Sequence, residues 1–150
     1  MKTLLVLGST GVVGQAVLAL ALKDERVEKI VAVTRKPLSA GLLANPRVMN
    51  PVVDFQNLPA DAPWWKADAV ICTLGTTIKI AKSEEAFRHV DLHIPSRVAS
   101  IAAQNGVQCF VHNRLAHRHE ASAAIDSEAF LVLDCPSVAF LNDGQVLQQS

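Results

Sequence analysis

The sequence contains no tyrosine, only three cysteines and no excess charge of either sign. Its 14 acidic residues balance 14 basic ones, so no basic surface predicts a nucleic-acid partner and no charge run predicts a membrane surface. No apolar run approaches the roughly 18 residues that span a bilayer. The spacing of Cys72, Cys109 and Cys135 fits neither a metal site nor a redox pair, which favours a reducing cytosol and predicts a cytoplasmic protein.

Apolar residues are abundant and make up half of the 150 positions, enough for one globular domain with a sizeable core. We expect Cys72 and Cys109 to lie in that core, because each falls within an apolar run. Strand-like runs alternate with segments of helical periodicity, which predicts a parallel sheet. The predicted fold class is therefore α/β, a Rossmann-like doubly wound parallel sheet of about five or six strands.

The pattern predicts strands at residues 1–7, 29–34, 51–55, 69–73 and 107–111. It predicts helices at 11–23 and 83–105, with Ser83 as N-cap and a break at Pro95, and one helical turn within 58–65. Residues 35–46 are expected to form a loop, a helix is possible at 121–129 and a strand at 130–133, and 145–150 should fray. We divide the chain into a first domain, 1–111, which contains the predicted parallel sheet, and a divergent C-terminal segment, 112–150, that is ordered only in part.

A glycine-rich turn follows the first strand, with Gly8, Gly11 and Gly14 in the spacing G-x-x-G-x-x-G. The first glycine permits a sharp turn, the second lets the backbone approach a pyrophosphate, and the third lets the helix pack closely on the strand. The helix N-terminus presents free N–H groups and a positive dipole end to an anion. The turn therefore predicts a dinucleotide site with contacts from Gly8, Thr10, Gly11, Val12, Val13 and Gly14.

Two other interpretations of this segment remain. One is an ordinary glycine-rich turn between a strand and a helix. The other is a secretory signal, since Lys2 precedes apolar residues that continue to Leu22. The polar turn at residues 8–11 interrupts that apolar stretch near its middle, which disfavours a signal peptide.

The end of the second strand indicates which coenzyme is bound. An acidic residue there accepts a hydrogen bond from the ribose 2′-hydroxyl of NAD, whereas a basic residue favours the 2′-phosphate of NADP. Here the strand ends in Thr34, Arg35 and Lys36, without an acid. Arg35 can donate two hydrogen bonds to a phosphate and Lys36 adds a second charge, so we expect NADP, with NAD less favoured. The alternative is a solvated basic turn.

Two further strand ends complete the predicted cofactor site. Asp54 and Phe55 should lie near the adenine, where the carboxylate can accept from the amino group and the ring can pack beside the base. Thr73, Leu74 and Gly75 follow the fourth strand, at the carboxyl edge of the sheet where ligands bind. An ordinary turn between strand and helix explains this glycine equally well.

These motifs together resemble the atypical short-chain dehydrogenase/reductases, in particular a bacterial branch related to the human Tat-interacting protein. The resemblance covers about residues 1–111 and rests on the segments 8–14, 34–38, 52–55, 72–77 and 83–91. It implies a Rossmann-like fold, possible reductase activity, and NADP binding at Gly8, Gly11, Gly14, Arg35 and Gly75.

The sequence departs from that family after the fifth strand. The wider superfamily uses a serine there and a Tyr-x-x-x-Lys motif for proton transfer, but this sequence has no tyrosine and reads His112-Asn113-Arg114 at the place of the serine. A truncated copy, or a reading frame shifted near residue 112, would produce this pattern. No catalytic residue is therefore assigned. His89 and His93 have a zinc-compatible spacing but no evident third ligand, so no metal is predicted.

Three functions stay open at this point. The chain is the NADP-binding domain of a reductase without the tyrosine machinery, an active NAD(P)H-dependent oxidoreductase with other acid and base groups, or a non-catalytic module that senses NADP(H). The substrate is not indicated. An exposed sheet edge would favour a homo-oligomer.

Overall fold

A seven-stranded sheet in the order β3-β2-β1-β4-β5-β6-β7 forms the centre of the molecule. The computed structural model describes residues 2–74, 82–88, 93–114, 138–142 and 145–149. The strands are β1 Lys2–Leu7, β2 Val27–Val33, β3 Val48–Met49, β4 Ala69–Cys72, β5 Cys109–Arg114, β6 Val138–Asn142 and β7 Gln145–Gln149. The described helices are α1 Val12–Lys23, α2 Ala40–Leu43, α3 Glu84–Arg88 and α4 Ile94–Gln104, with a 3-10 turn at Pro63–Trp65.

The strand directions confirm the predicted doubly wound class. Strands β1 to β6 pair in parallel, and β7 returns antiparallel along β6. The chain moves outward from β1 to β2 and β3, then crosses back to β4 on the other side of β1. The carboxyl ends of β1, β2 and β4 therefore meet at one edge, and the change of direction falls between β1 and β4. Ligands bind at this position in open α/β sheets.

Alternate side chains of the central strand enter two separate cores. Leu4 and Val6 of β1 pack with Val17 of α1 on one face of the sheet, and Leu5 and Leu7 pack with Val98 of α4 on the other. All six are buried, as expected for a strand covered by helices on both faces. Burial of each such side chain contributes about 1.5–3 kcal/mol relative to exposure.

The second core also contains an aromatic pair at the opposite, amino edge of the sheet. Trp64 and Trp65 lie in the 3-10 turn before β4, with ring centroids 4.8 Å apart. The Trp65 side chain is fully buried and its indole N–H donates to the carbonyl oxygen of Pro59 at 2.7 Å. The helical turn predicted within 58–65 is therefore present.

The prediction of the third strand at 51–55 was wrong in position. Regular pairing with β2 occurs at Val48 and Met49, and beyond them a single bridge joins Val52 to Thr34. Pro51 has no N–H to donate to a ladder, which interrupts the strand. The short helix α2 also lies in the segment predicted as loop.

The predicted helix at 83–105 is present in two described pieces, α3 and α4, with residues 89–92 outside the described ranges. The backbone N–H of Ala86 donates to Ser83 Oγ at 3.1 Å, which confirms the N-cap. Pro95 occupies the first turn of α4, and Gly106 ends that helix with a φ of 77°. Proline is tolerated at a helix start because the N–H there has no helical partner.

The expected fraying of residues 145–150 was wrong for 145–149, which form β7. The backbone of β7 pairs with that of β6, and such pairing does not require apolar side chains. The elements predicted at 121–129 and 130–133 lie outside the described residues. No helix within the described ranges is long and apolar enough to cross a membrane.

The buried thiols give a test of this packing. Cys72 and Cys109 are buried, and burial raises the pKa of the Cys72 thiol to about 12. In a Cys135→Ser variant, we expect a thiol-specific chromophore to label no cysteine of the native protein at pH 9. An ordinary thiol is substantially ionised at that pH, since its pKa is about 8.5.

The same reagent should label two cysteines after unfolding in guanidinium chloride. Rapid native labelling at pH 9 would show that β4 and β5 are not the buried strands described here.

Candidate functional site

The candidate site lies at the carboxyl edge of the sheet, around the turn between β1 and α1. Leu7, the last residue of β1, is paired with Val33 of β2 and with Cys72 of β4. The segments that begin at Gly8, Thr34 and Thr73 therefore leave three adjacent strands at the same level. The structure thus brings together the glycine turn, the basic turn and the end of the fourth strand, as the sequence predicts.

Gly8 is fixed in place by its conformation and by β4. Its φ is 85°, in the left-handed region that other residues rarely adopt. A Cβ at this position would lie 2.7 Å from Thr73 Oγ1 and 2.9 Å from the backbone nitrogen of Leu74. The Thr73 hydroxyl in turn lies 2.9 Å from the Leu7 carbonyl oxygen and 3.0 Å from that of Gly8. Thr73 therefore anchors the turn to the neighbouring strand.

Gly14 and Gly11 have different surroundings. A Cβ on Gly14 would lie 2.0 Å from the carbonyl oxygen of Gly8, so only glycine lets α1 pack this closely on the turn. Among the described residues, a Cβ on Gly11 would meet nothing nearer than that same oxygen at 3.5 Å, which is ordinary contact. The described residues therefore leave the space beside Gly11 open, whereas they fill the spaces beside Gly8 and Gly14.

The N-terminus of α1 has the features that favour a bound anion. Its N-cap is Gly11, no side chain caps the first turn, and that turn contains no acidic residue. Thr10 is exposed, and Val12 is 85% exposed although it is apolar. The first N–H groups of a helix lack helical partners and attract negative charge.

Two other residues of this turn have contrasting environments. Val13 is half-buried and packs against the core on the α1 side. Ser9 is 1% exposed, and its hydroxyl has no hydrogen-bond partner among the described residues. Buried polar atoms are normally satisfied, so this hydroxyl can take a partner that the described residues do not supply. The sequence interpretation assigned no role to Ser9.

The basic turn after β2 carries two exposed cations. Arg35 and Lys36 are both exposed, and neither forms a salt bridge within the described part of the chain. Thr34 is buried, and its hydroxyl donates to the carbonyl oxygen of Lys36 at 2.7 Å. Thr34 therefore shapes the turn through its side chain, and its own contact with a cofactor stays a prediction.

The sequence interpretation missed Asn50, which holds the same turn from the next strand. Its side-chain amide donates to the carbonyl oxygen of Ala32 at 2.6 Å and to Thr34 Oγ1 at 2.8 Å. Its carbonyl oxygen accepts from the backbone N–H of Leu38 at 2.9 Å. No local sequence motif predicts these contacts, because they join residues 12 to 18 positions apart.

Asp54 and Phe55 lie beside this turn but differ in exposure. Asp54 is exposed and accepts hydrogen bonds from the Gln56 backbone N–H at 2.9 Å and from the Asn57 side chain at 3.1 Å. These two bonds hold the pKa of the Asp54 carboxyl below its usual value, so it is charged at neutral pH. Phe55 is buried in the core with Leu58, so its ring is not displayed to solvent. Contacts of both residues with adenine stay predictions.

The end of β4 is described only in part. Leu74 is half-buried against the core, whereas Gly75 lies outside the described residues. On the next strand, His112 is buried and paired with Cys72, and β5 continues past it to Arg114. Within the described ranges no three His, Cys, Asp or Glu residues cluster as a metal site would require. His89 also lies outside those ranges.

Comparison with known proteins supports a short-chain dehydrogenase/reductase fold. A UDP-glucuronic acid 4-epimerase from Bacillus cereus, solved in complex with NAD, superposes with a TM-score of 0.60 at 15% identity, over 74% of this chain and 39% of the epimerase. A short-chain dehydrogenase/reductase superfamily protein from Agrobacterium tumefaciens, solved with bound NAD, gives 0.55 at 21% identity over 74% and 32%. Pen from Bacillus thuringiensis gives 0.62 at 18% identity over 75% and 37%.

The sequence itself identifies a nearer relative. HTATIP2 of Rattus norvegicus is 31% identical over 133 residues, which are 88% of this chain and 52% of that protein. The chain thus spans about half the length of this relative. No protein-family profile matches it. The predicted resemblance is confirmed: over the matched part, the chain is similar in sequence to HTATIP2, and its fold is that of the short-chain dehydrogenase/reductase structures. Because 133 of 150 residues are matched, the similarity continues beyond residue 111.

The three glycines should respond differently to substitution by alanine. We expect Gly8→Ala and Gly14→Ala each to lower the free energy of unfolding by at least about 2 kcal/mol, because the new methyl group meets backbone or a disfavoured φ. Gly11→Ala should cost about 1 kcal/mol or less, the difference between glycine and alanine as an N-cap.

Urea unfolding followed by circular dichroism measures all three variants. Equal losses at the three positions would contradict the packing described around α1.

Proposed function

We propose that residues 1–111 form a domain that binds a nicotinamide dinucleotide, and that this coenzyme is NADP. In this proposal the diphosphate lies against the N-terminus of α1 and the adenosine ribose lies at the end of β2. The open space beside Gly11 is the observation that carries the proposal. Protein atoms require glycine at positions 8 and 14. The described protein atoms do not require glycine at position 11. A phosphate bound beside Gly11 would explain why glycine occurs there.

The electrostatics of the turn agree with this proposal. The uncapped first turn of α1 has N–H groups for phosphate oxygens and no carboxylate to repel them. The apolar Val12 side chain would be covered by a bound coenzyme, which accounts for an exposed valine at this edge. The buried hydroxyl of Ser9 offers a hydrogen bond that the described protein atoms leave unused.

The preference for NADP rests on the basic turn. The solved neighbours from B. cereus and A. tumefaciens hold NAD, so the general fold accepts a coenzyme without a 2′-phosphate. NAD and NADP differ only at that phosphate. In this chain the position next to the ribose is followed by two exposed cations, Arg35 and Lys36, and no acid. Arginine binds a phosphate through paired hydrogen bonds, which favours NADP.

The chemistry implied by this coenzyme is hydride transfer, which the nicotinamide supplies when bound. The described residues bind and orient the coenzyme: α1 holds the diphosphate, and the β4 end fixes the turn below it. The family's catalytic tyrosine does not occur in this sequence, so its acid and base are left unassigned. We propose the coenzyme-binding part of an oxidoreductase, with an undefined substrate and a cytoplasmic location.

Substitution of Arg35 tests the choice of coenzyme. Arg35→Ala removes one charged contact with the 2′-phosphate, so NADPH binding should weaken by about 1.5–3 kcal/mol while NADH binding changes little. Isothermal titration calorimetry of both coenzymes measures the two changes. Arg26→Ala is the matched control, because Arg26 pairs with Asp24 in the loop between α1 and β2, at the opposite edge of the sheet.

Equal weakening of NADPH and NADH by Arg35→Ala would reject the preference for NADP. Binding of neither coenzyme to the folded parent protein would reject the whole proposal.

Gly11→Ala tests the diphosphate site separately. The variant should keep its fold, yet its methyl group would project into the space assigned to the diphosphate. We expect at least about a tenfold loss of affinity for both coenzymes, equivalent to about 1.4 kcal/mol. The same titrations measure it, and unchanged affinity for both would place the coenzyme elsewhere.

A further inference from the structure

Asn50 uses its whole side chain to join three parts of the segment that ends β2. Its amide nitrogen donates to Ala32 within the strand and to Thr34 at its end, at 2.6 and 2.8 Å. Its amide oxygen accepts from the backbone N–H of Leu38, at 2.9 Å. The contacts therefore connect both ends of the turn that carries Arg35 and Lys36.

Thr34 continues this connection into the turn. Its hydroxyl accepts from Asn50 and donates to the carbonyl oxygen of Lys36 at 2.7 Å. Its backbone pairs on the same side, with N–H donated to the Pro51 carbonyl oxygen at 3.1 Å and C=O accepting from Val53 at 2.9 Å. The path of the turn is thus fixed by residues that are buried or half-buried, whereas the two cations stay exposed.

We propose that Asn50 is a positioning residue that sets coenzyme specificity: it holds the 34–38 turn in the shape that presents Arg35 to the coenzyme 2′-phosphate. This inference rests on the proposed function. Asn50 does not itself touch the phosphate in this scheme, because its donors and acceptor are engaged with the turn. It acts on specificity because the 2′-phosphate is the part of the coenzyme that this turn would meet.

Preorganisation supplies the physical reason. A long exposed side chain loses rotational freedom when it binds a phosphate, and a mobile backbone would add a further loss. A fixed backbone removes that second cost, so more of the favourable free energy of the phosphate contact appears as binding affinity. Asparagine suits the position because it combines two donors with one acceptor. Aspartate would instead direct a carboxylate at the carbonyl oxygen of Ala32, which is repulsive.

The first test compares Asn50→Ala with Asn105→Ala. Like Asn50, Asn105 donates two hydrogen bonds from its side-chain amide. Both go to backbone carbonyl oxygens, at 3.0 and 2.9 Å, and Asn105 lies at the opposite edge of the sheet. We expect Asn50→Ala to weaken NADPH binding about tenfold and to change NADH binding by less than about twofold. Asn105→Ala should leave the ratio of the two affinities unchanged, even if both variants lose similar stability.

A double-mutant cycle shows whether Asn50 acts through Arg35. In an Arg35→Ala background, Asn50→Ala should cost little further NADPH affinity, because the group it positions is already absent. Thr34→Val removes the hydroxyl that joins Asn50 to Lys36, with little change of shape, and should give the same selective loss. It also keeps the inference testable if Asn50→Ala does not fold.

The ligand-free protein gives an independent readout. Hydrogen exchange of the Leu38 amide, measured by NMR, should accelerate in Asn50→Ala, because that N–H loses its acceptor. Equal weakening of both coenzymes by Asn50→Ala, or full additivity with Arg35→Ala, would overturn the inference and leave the proposed function intact. No selective effect of Arg35→Ala in the parent would overturn both this inference and the preference for NADP.

Discussion

The close approach of α1 to the turn after β1 is the contact on which the rest of the site depends. Gly14 lies so near the carbonyl oxygen of Gly8 that no side chain fits between them. Thr73 holds the same turn from β4, with its hydroxyl against two backbone carbonyls. Together these contacts fix the first turn of α1 directly above the point where the strand order reverses. The backbone beneath the N-terminus of α1 is therefore held in place. The described residues leave the space beside Gly11 at this helix end open.

The parts of this structure that depend on local sequence could be predicted, and those that depend on tertiary contacts could not. The turn at Gly8 and the cap at Ser83 follow from the conformations that neighbouring residues allow. The third strand was misplaced because the apolar run after Pro51 has the pattern of a strand, although proline interrupts its ladder. Asn50 was not predicted because its hydrogen-bond partners are distant in sequence. Strand β7 was not predicted because pairing through the backbone tolerates polar residues.

The proposed function combines two kinds of recognition at this edge of the sheet. The proposed diphosphate contact comes from backbone N–H groups, whose position is set by glycines and by the helix. The proposed 2′-phosphate contact comes from side chains, whose position is set by hydrogen bonds between neighbouring strands.

The basic turn lies next to β3, the strand at one edge of the sheet. This placement has an evolutionary consequence. Gly8 and Gly14 are constrained by packing, so almost any exchange at these two positions disturbs folding. Arg35 and Lys36 are exposed at the periphery, where exchanges leave both hydrophobic cores untouched. In the proposed scheme, exchanges at these two positions would change the coenzyme preference while the architecture persists. Loss of Asn50 would reduce that selectivity even in a chain that keeps both cations.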